Sequence, residues 1–369
     1  AVLQRAVATC QARFLDVDER AKAIQQSREI LFEAICAVAN ETQREECAHS
    51  MAQFEQRLIE HYPIRAEGEL HASYRHLSRL LNQSANERSL PWQTRLMAAS
   101  HFLTHAARPE TISQGSKIGA QVICLLQKIM TIRPSRLADM LASATYEGSW
   151  QAFDGKDVLL DEHTMKPGPE EILYKPGDNR RSYAIKILQC ILLNNCLLRR
   201  STPMTYAENP GRPGRDYSGQ IIQTLEGRPI NPKFGANLGY FEVALLAHYE
   251  FGEKRCVIVN DSAFDTNSPE VFDASRKNFL IHINSLDDLT EALNNAKDDD
   301  NIPVMIAVDE RRLLAEQYDD GVNHIINVVV YNEYGILKIY NPQLLPGTPR
   351  VARITLPKLY NATLGKTKI

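Results

Sequence analysis

No run in the 369-residue chain approaches the apolar length needed to span a bilayer, and no signal-peptide pattern opens it. Charge of one sign is also missing. Lys and Arg number 42 against 45 Asp and Glu, and the net charge of −3 leaves no footprint for nucleic acid or an acidic membrane surface. The seven cysteines are scattered, odd in number and form no Cys-x-x-Cys pair, which argues against a zinc site and against a disulfide framework. Cys10, Cys36, Cys47, Cys124, Cys190, Cys196 and Cys256 read instead as reduced thiols, most in apolar settings, and imply a reducing compartment. There is no internal repeat and no low-complexity tract. An initiator Met is absent too; Ala1 suggests a fragment or a processed form.

What remains is an ordinary globular composition, 44% hydrophobic and 24% charged, long enough for two or three cores. Residues 1–150 read as an all-helical bundle. Apolar residues recur at three and four through Ile30, Leu31, Ile35 and Val38, then through Met51, Phe54, Leu58 and Ile59. Further helices fit 69–81, 90–105, 116–131 and 136–144. Breaks fall at Tyr62-Pro63, Ser89-Leu-Pro91, Arg108-Pro109 and Arg133-Pro134, and short connections favour antiparallel neighbours. His49, His61, His71, His76, His101 and His105 show no metal spacing.

Composition shifts to Gly, Pro, Asp and Lys over 146–179, the best domain boundary, so that 151–369 forms a second domain. One long apolar helix follows from Ser182 to about Leu198, and another covers 238–249. Strands fit 255–259, 279–283, 302–308, 325–331 and 336–340, with a helix at 286–295 between them. A helix followed by an antiparallel sheet makes this domain α+β.

The most informative stretch is Val322-Asn-His-Ile-Ile-Asn-Val-Val-Val-Tyr331, followed after one turn by Tyr340-Asn341-Pro342. Asn332-Glu-Tyr-Gly335 supplies turn chemistry between the two strands, so the ends carrying His324 and Asn341 come together. A His opening one strand and an amide closing the next suit a base and the group that orients it. A buried sheet with one satisfied His accounts for the same residues.

Gly177-Asp-Asn-Arg-Arg-Ser182-Tyr-Ala-Ile-Lys-Ile-Leu-Gln-Cys190-Ile191 resembles the cysteine box of ubiquitin-specific proteases, which runs Gly-Asn-Thr-Cys-Tyr-Met-Asn-Ser-x-Leu-Gln-Cys-Leu. Tyr183, Leu188, Gln189 and Cys190 coincide in register, and Ser182 occupies the cysteine position. His324 and Asn341, 17 residues apart, then resemble the family's His box and its terminal acid or amide. The order nucleophile, His, Asn is papain-like. The chain departs from the family at Arg180 and Ile185, and Leu238-Gly-Tyr-Phe-Glu242 only faintly matches its Gln-Gln-Asp box.

The resemblance implies a papain-like fold, a long helix packed on an antiparallel sheet, behind a helical bundle. It also implies a cysteine isopeptidase or protease acting on ubiquitin or a ubiquitin-like modifier, with no cofactor and no metal. Ser182 takes the attacking position, His324 the base, Asn341 the orienting group, and Asn179 or backbone N–H groups the oxyanion site. The same layout serves a glutamine deamidase or transglutaminase. A bacterial effector working in the host cytosol fits by analogy, with a partner protein on the bundle.

A helix start lowers a thiol pKa and offers donors to an oxyanion, with Asp178 or Asn179 as the expected cap. A hydroxyl is far too weak an acid to form a thiolate–imidazolium type of pair. Ser182 therefore marks an engineered substitution for cysteine or a natural pseudoenzyme, and Ser is also a favoured N-cap in its own right. A true serine hydrolase ranks third, because no Gly-x-Ser-x-Gly surrounds it. The rival class is a catalytically dead protein-interaction module. Weaker features are a solvated acidic loop at Lys297-Asp-Asp-Asp-Asn301, which lacks EF-hand spacing, and Arg199, Arg200 and 212–215 as a surface for an acidic partner.

Overall fold

The computed structural model describes residues 17–83, 90–115, 119–160, 162–198, 204–206, 231–233, 238, 240–260, 279–298, 302–309, 312–313, 323–332, 334–342 and 351–363. It is α+β, with a helical N-terminal region and a sheet-containing C-terminal region. Two compact units divide it: Ala1–Arg108 with Arg133–Glu147, and Pro109–Ile132 with Gly148–Ile369. The compositional boundary at 150 and this division differ over 109–132. Among the described residues no helix is long and apolar enough to cross a membrane.

The first unit holds α1 (Val17–Cys36), α2 (Glu41–His61), α3 (Pro63–Leu81), α4 (Trp92–Ala107) and α6 (Pro134–Glu147). Asn40 caps α2 in a reciprocal box, accepting from Gln43 N at 2.9 Å while its own N–H donates to Gln43 Oε1 at 3.1 Å. Pro63 opens α3, where a missing N–H costs nothing. Leu31, Ile35, Met51, Phe54, Leu58, Tyr74, Leu77 and Phe102 have no exposed surface and form this unit's core.

The second unit is built on a six-stranded sheet in the order β10-β9-β8-β7-β5-β6. Its strands are β5 (Val257–Asn260), β6 (Leu280–Ile283), β7 (Val304–Asp309), β8 (Asn323–Tyr331), β9 (Ile336–Tyr340) and β10 (Val351–Thr355). From β7 to β10 the pairing is antiparallel, but β5 runs parallel to both β6 and β7. This corrects the expectation of a purely antiparallel sheet. Helix α11 (Leu286–Asp298) links β6 to β7 across β5, and such a crossover returns the chain in the same direction.

One sheet face packs Val304, Ile306, Val308, Ile326, Val328 and Ile339 against α11 and α12 (Leu356–Thr363). The other face takes α5 (Ala120–Ile132), whose residues from Val122 onward are all buried. Behind α5 lie α9 (Tyr183–Leu197), also buried throughout, and α10 (Tyr240–Phe251). Short elements complete the unit: β1 (Ser149–Gln151) with β2 (Asp157–Leu159), α7 (Glu162–Met165), α8 (Pro169–Ile172), and β3 (Met204–Tyr206) with β4 (Asn231–Lys233).

Candidate active site

The hairpin β8–β9 is closed by its turn. Asn332 Oδ1 accepts from Tyr334 N at 3.1 Å and from Ile336 N at 2.9 Å, while Gly335 takes a φ of +68° that a side chain would resist. Beyond a bulge between Val328 and Val330, Asn327 pairs with Tyr340. Asn341 follows directly and is buried. His324 lies three residues before Asn327, at the register position opposite Val308 of β7. The backbones at 324 and 341 are thus diagonal neighbours at one end of the sheet, which corresponds to roughly 7–8 Å in an antiparallel pair. The side chain of His324 lies outside the described residues.

Ser182 is the N-cap of α9. Its extended backbone (φ −75°, ψ 160°) precedes the first helical residue, its carbonyl accepts from Lys186 N at 2.9 Å, and its hydroxyl accepts from Ile185 N at 3.3 Å. Only 1% of the residue is exposed. Asp178 does not cap the helix, contrary to the sequence expectation. Its carboxylate accepts from Lys175 N, Arg180 N and Arg180 Nη1 and so folds back on its own loop. Asn179 is not the cap either. It is exposed, and its backbone carbonyl accepts from the Ser113 hydroxyl at 3.0 Å.

The residue before Ser182 is a fully buried cation. Arg181 donates through Nη2 to Glu171 Oε1 and through Nη1 to Gln189 Oε1, both at 2.8 Å, and through its backbone N to Glu170 Oε1 at 3.1 Å. Lys186 Nζ stands 3.9 Å from Glu171 Oε2 and donates to the Lys166 carbonyl at 2.8 Å. A charge removed from water needs such partners. These bonds join the start of α9 to α8 and the loop before it.

The helix that bonds β8 is α5, which sequence reading assigned to the bundle. Cys124 Sγ donates to the Ile325 carbonyl at 3.2 Å. Asn327 Nδ2 donates to the Cys124 carbonyl at 2.9 Å and to Gln127 Oε1 at 3.0 Å. Lys128, with no exposed surface, donates to the Pro303 carbonyl at 2.6 Å and stands 3.4 Å from Glu253 Oε2. The available signal was the unbroken apolar run from Val122 to Leu126, which leaves no polar stripe for solvent.

Thiol chemistry is disfavoured by burial at five of the six described cysteines, Cys36 being half-exposed. Cys47, Cys124, Cys190, Cys196 and Cys256 are buried and joined in no disulfide. Loss of hydration pushes the Cys124 thiol well above its ordinary value and the Cys256 thiol up to about 12. Among the described residues no three His, Cys, Asp or Glu side chains gather as a metal site would require. Arg199, Arg200, residues 212–215 and 299–301 lie outside the described residues. Compared with protein-family models, with curated proteins and with solved structures, the chain matches none.

Proposed function

We propose that the second unit is a papain-like cysteine-peptidase scaffold of the ubiquitin-specific protease type, which carries Ser182 in the cysteine position and binds a ubiquitin-like modifier without cleaving it. The observation that carries this reading is the β8–β9 register. It brings the backbones at 324 and 341 to one sheet end as diagonal neighbours, an arrangement that suits a base and an orienting amide. With a thiol at 182, the thiolate would attack the isopeptide carbonyl. The C–N bond would break as His324 passes its proton to the departing lysine amine, and water would then release the acyl group. A serine hydroxyl at that position lacks the acidity to begin this sequence. Host cytosol is the setting this activity implies.

A second reading has its own support. The Ser182 hydroxyl already serves Ile185 N, and the residue is almost wholly covered. On that reading Ser182 is a structural cap, and the chain is an interaction module without a catalytic centre.

The test is a Ser182→Cys chain mixed with ubiquitin, and with related modifiers, bearing a C-terminal electrophile. A covalent adduct by mass spectrometry, lost in His324→Ala, is the expected result. Binding of the free modifier without any adduct supports the module. Neither adduct nor binding from a folded Ser182→Cys chain overturns the proposal.

A further inference from the structure

Among the described residues no side chain caps helix α5. Gly119 accepts the first helical bond, from Ile123 N at 3.1 Å, and so takes the N-cap position. Glycine brings no oxygen to the N–H groups of Ala120, Gln121 and Val122 that follow it. These carry the positive end of a 13-residue helix. Ala120 and Gln121 are only half-buried, so the helix start reaches the surface.

A second donor is aimed at the same place. Gln189, with no exposed surface, turns its Nε2 toward Gly119, so closely that a Cβ there would stand 2.8 Å from it. Its orientation is fixed, because Oε1 accepts from Arg181 Nη1 and the opposite amide edge must therefore be the NH2. That NH2 has no acceptor among the described residues. A buried donor left unmet costs about 1–3 kcal/mol. The carboxylates that hold Arg181 are engaged: Glu171 with Arg181 and Gly168 N, Glu170 with Arg181 N.

We infer that the amino end of α5, together with the Gln189 amide, is a binding site for a carboxylate group. The Gln189 NH2 lies against Gly119, the residue that precedes these free helical N–H groups, and an oxygen anion with two acceptor atoms could satisfy both. Gly119 holds a φ of +142°, a backbone conformation that side chains rarely adopt, and a Cβ there would also press on the Gln189 amide. The site also has a place in the fold. Helix α5 runs alongside β8 in the same direction, Cys124 meeting Ile325 and Gln127 meeting Asn327. Ala120 lies one turn, about 6 Å, upstream of Cys124, toward the end at which β8 begins. The inference does not depend on what Ser182 does.

Backbone amide shifts of the full chain, followed by NMR during titration with sodium acetate, test this. Ala120, Gln121 and Val122 are expected to move with acetate and to stay still with acetamide. N-acetyl-glycylglycine and its C-terminal amide form a second pair. Tighter binding of the free acid than of acetate identifies a peptide chain end, and equal binding identifies a small carboxylate. Gln189→Glu keeps an acceptor for Arg181 and removes the NH2, and is expected to weaken acetate binding at least about tenfold. If acetate leaves the three amides unmoved in the unaltered chain, the inference is wrong, whether or not the variant folds. Equal acetate affinity in a folded Gln189→Glu chain removes Gln189 from it.

Discussion

Arg181 and Glu171 face each other at 2.8 Å with almost no exposed surface on either side chain. The pair lies directly before the helix that Ser182 caps, so the local charge balance and the helix start are one construction. Removing Glu171 alone strands a guanidinium in the interior, at a cost of about 3–5 kcal/mol, whereas replacing both partners by apolar residues of similar volume is often neutral. Glu171→Leu is therefore expected to lower the urea midpoint sharply, and the Arg181→Met/Glu171→Leu double variant to recover most of it. A double variant no better than the single one contradicts this account of the pair.

The hydroxyl of Ser182 offers a second test. Loss of an N-cap oxygen costs about 1 kcal/mol, within 0.5–2, so Ser182→Ala should unfold at lower urea than the parent. Ser182→Thr retains the cap oxygen and should lose much less. Equal stability of Ser182→Ala and the parent in equilibrium unfolding would show that the bond to Ile185 N contributes nothing.

Asn327 tests the attachment of α5 to the sheet. Its Nδ2 donates to the Cys124 carbonyl and to Gln127 Oε1, and all three residues are buried. Asn327→Leu leaves those acceptors without their donor, which is expected to cost about 1–3 kcal/mol. Faster hydrogen exchange should appear in 120–132 and 323–331 together. Exchange confined to one of the two segments would separate them as folding units.

The pH dependence of the helical unit follows from His101. Burial holds its imidazole down at about 4 in the folded chain, against an ordinary value of 6.5. Between those values the unfolded chain binds the proton and the folded chain does not. The stability linked to this group is complete above pH 6.5 and is lost as pH falls toward 4. His76 is pulled to about 4 in the same direction, chiefly by burial and against the pull of Asp139 at 3.4 Å. Thermal midpoints recorded from pH 7 to pH 4 should fall less steeply in His101→Gln than in the parent. Parallel curves would mean that His101 is not carrying the effect.

Several elements were legible because their signals are local. A run of β-branched residues, with Asn332 and Gly335 after it, specifies the hairpin of β8 and β9, and it forms where expected. The apolar run after Ser182 becomes α9, and the Pro and Gly breaks fall between helices. The oversights have physical causes. Strands β5 and β6 have the composition of any buried strand, and nothing in it encodes whether a neighbour runs parallel. Helix α12 begins Leu356-Pro357, and its short length gives periodicity little to work with. Asp178 and Asn179 looked as suitable for a cap as Ser182, because the choice depends on which residue has extended backbone just before the first turn.

The chain by itself determined the β8–β9 hairpin and the apolar helix that follows Ser182, because turn residues and side-chain period act over a few positions. Tertiary structure alone decided what covers each apolar face. It took α5 onto the sheet through bonds from Lys128 to Pro303 and from Asn327 to Cys124, 175 and 203 residues apart along the chain. It also enclosed Arg181 with Glu171 and Gln189. Apolar periodicity states that a face must leave water, and only packing chooses the surface it leaves water to meet.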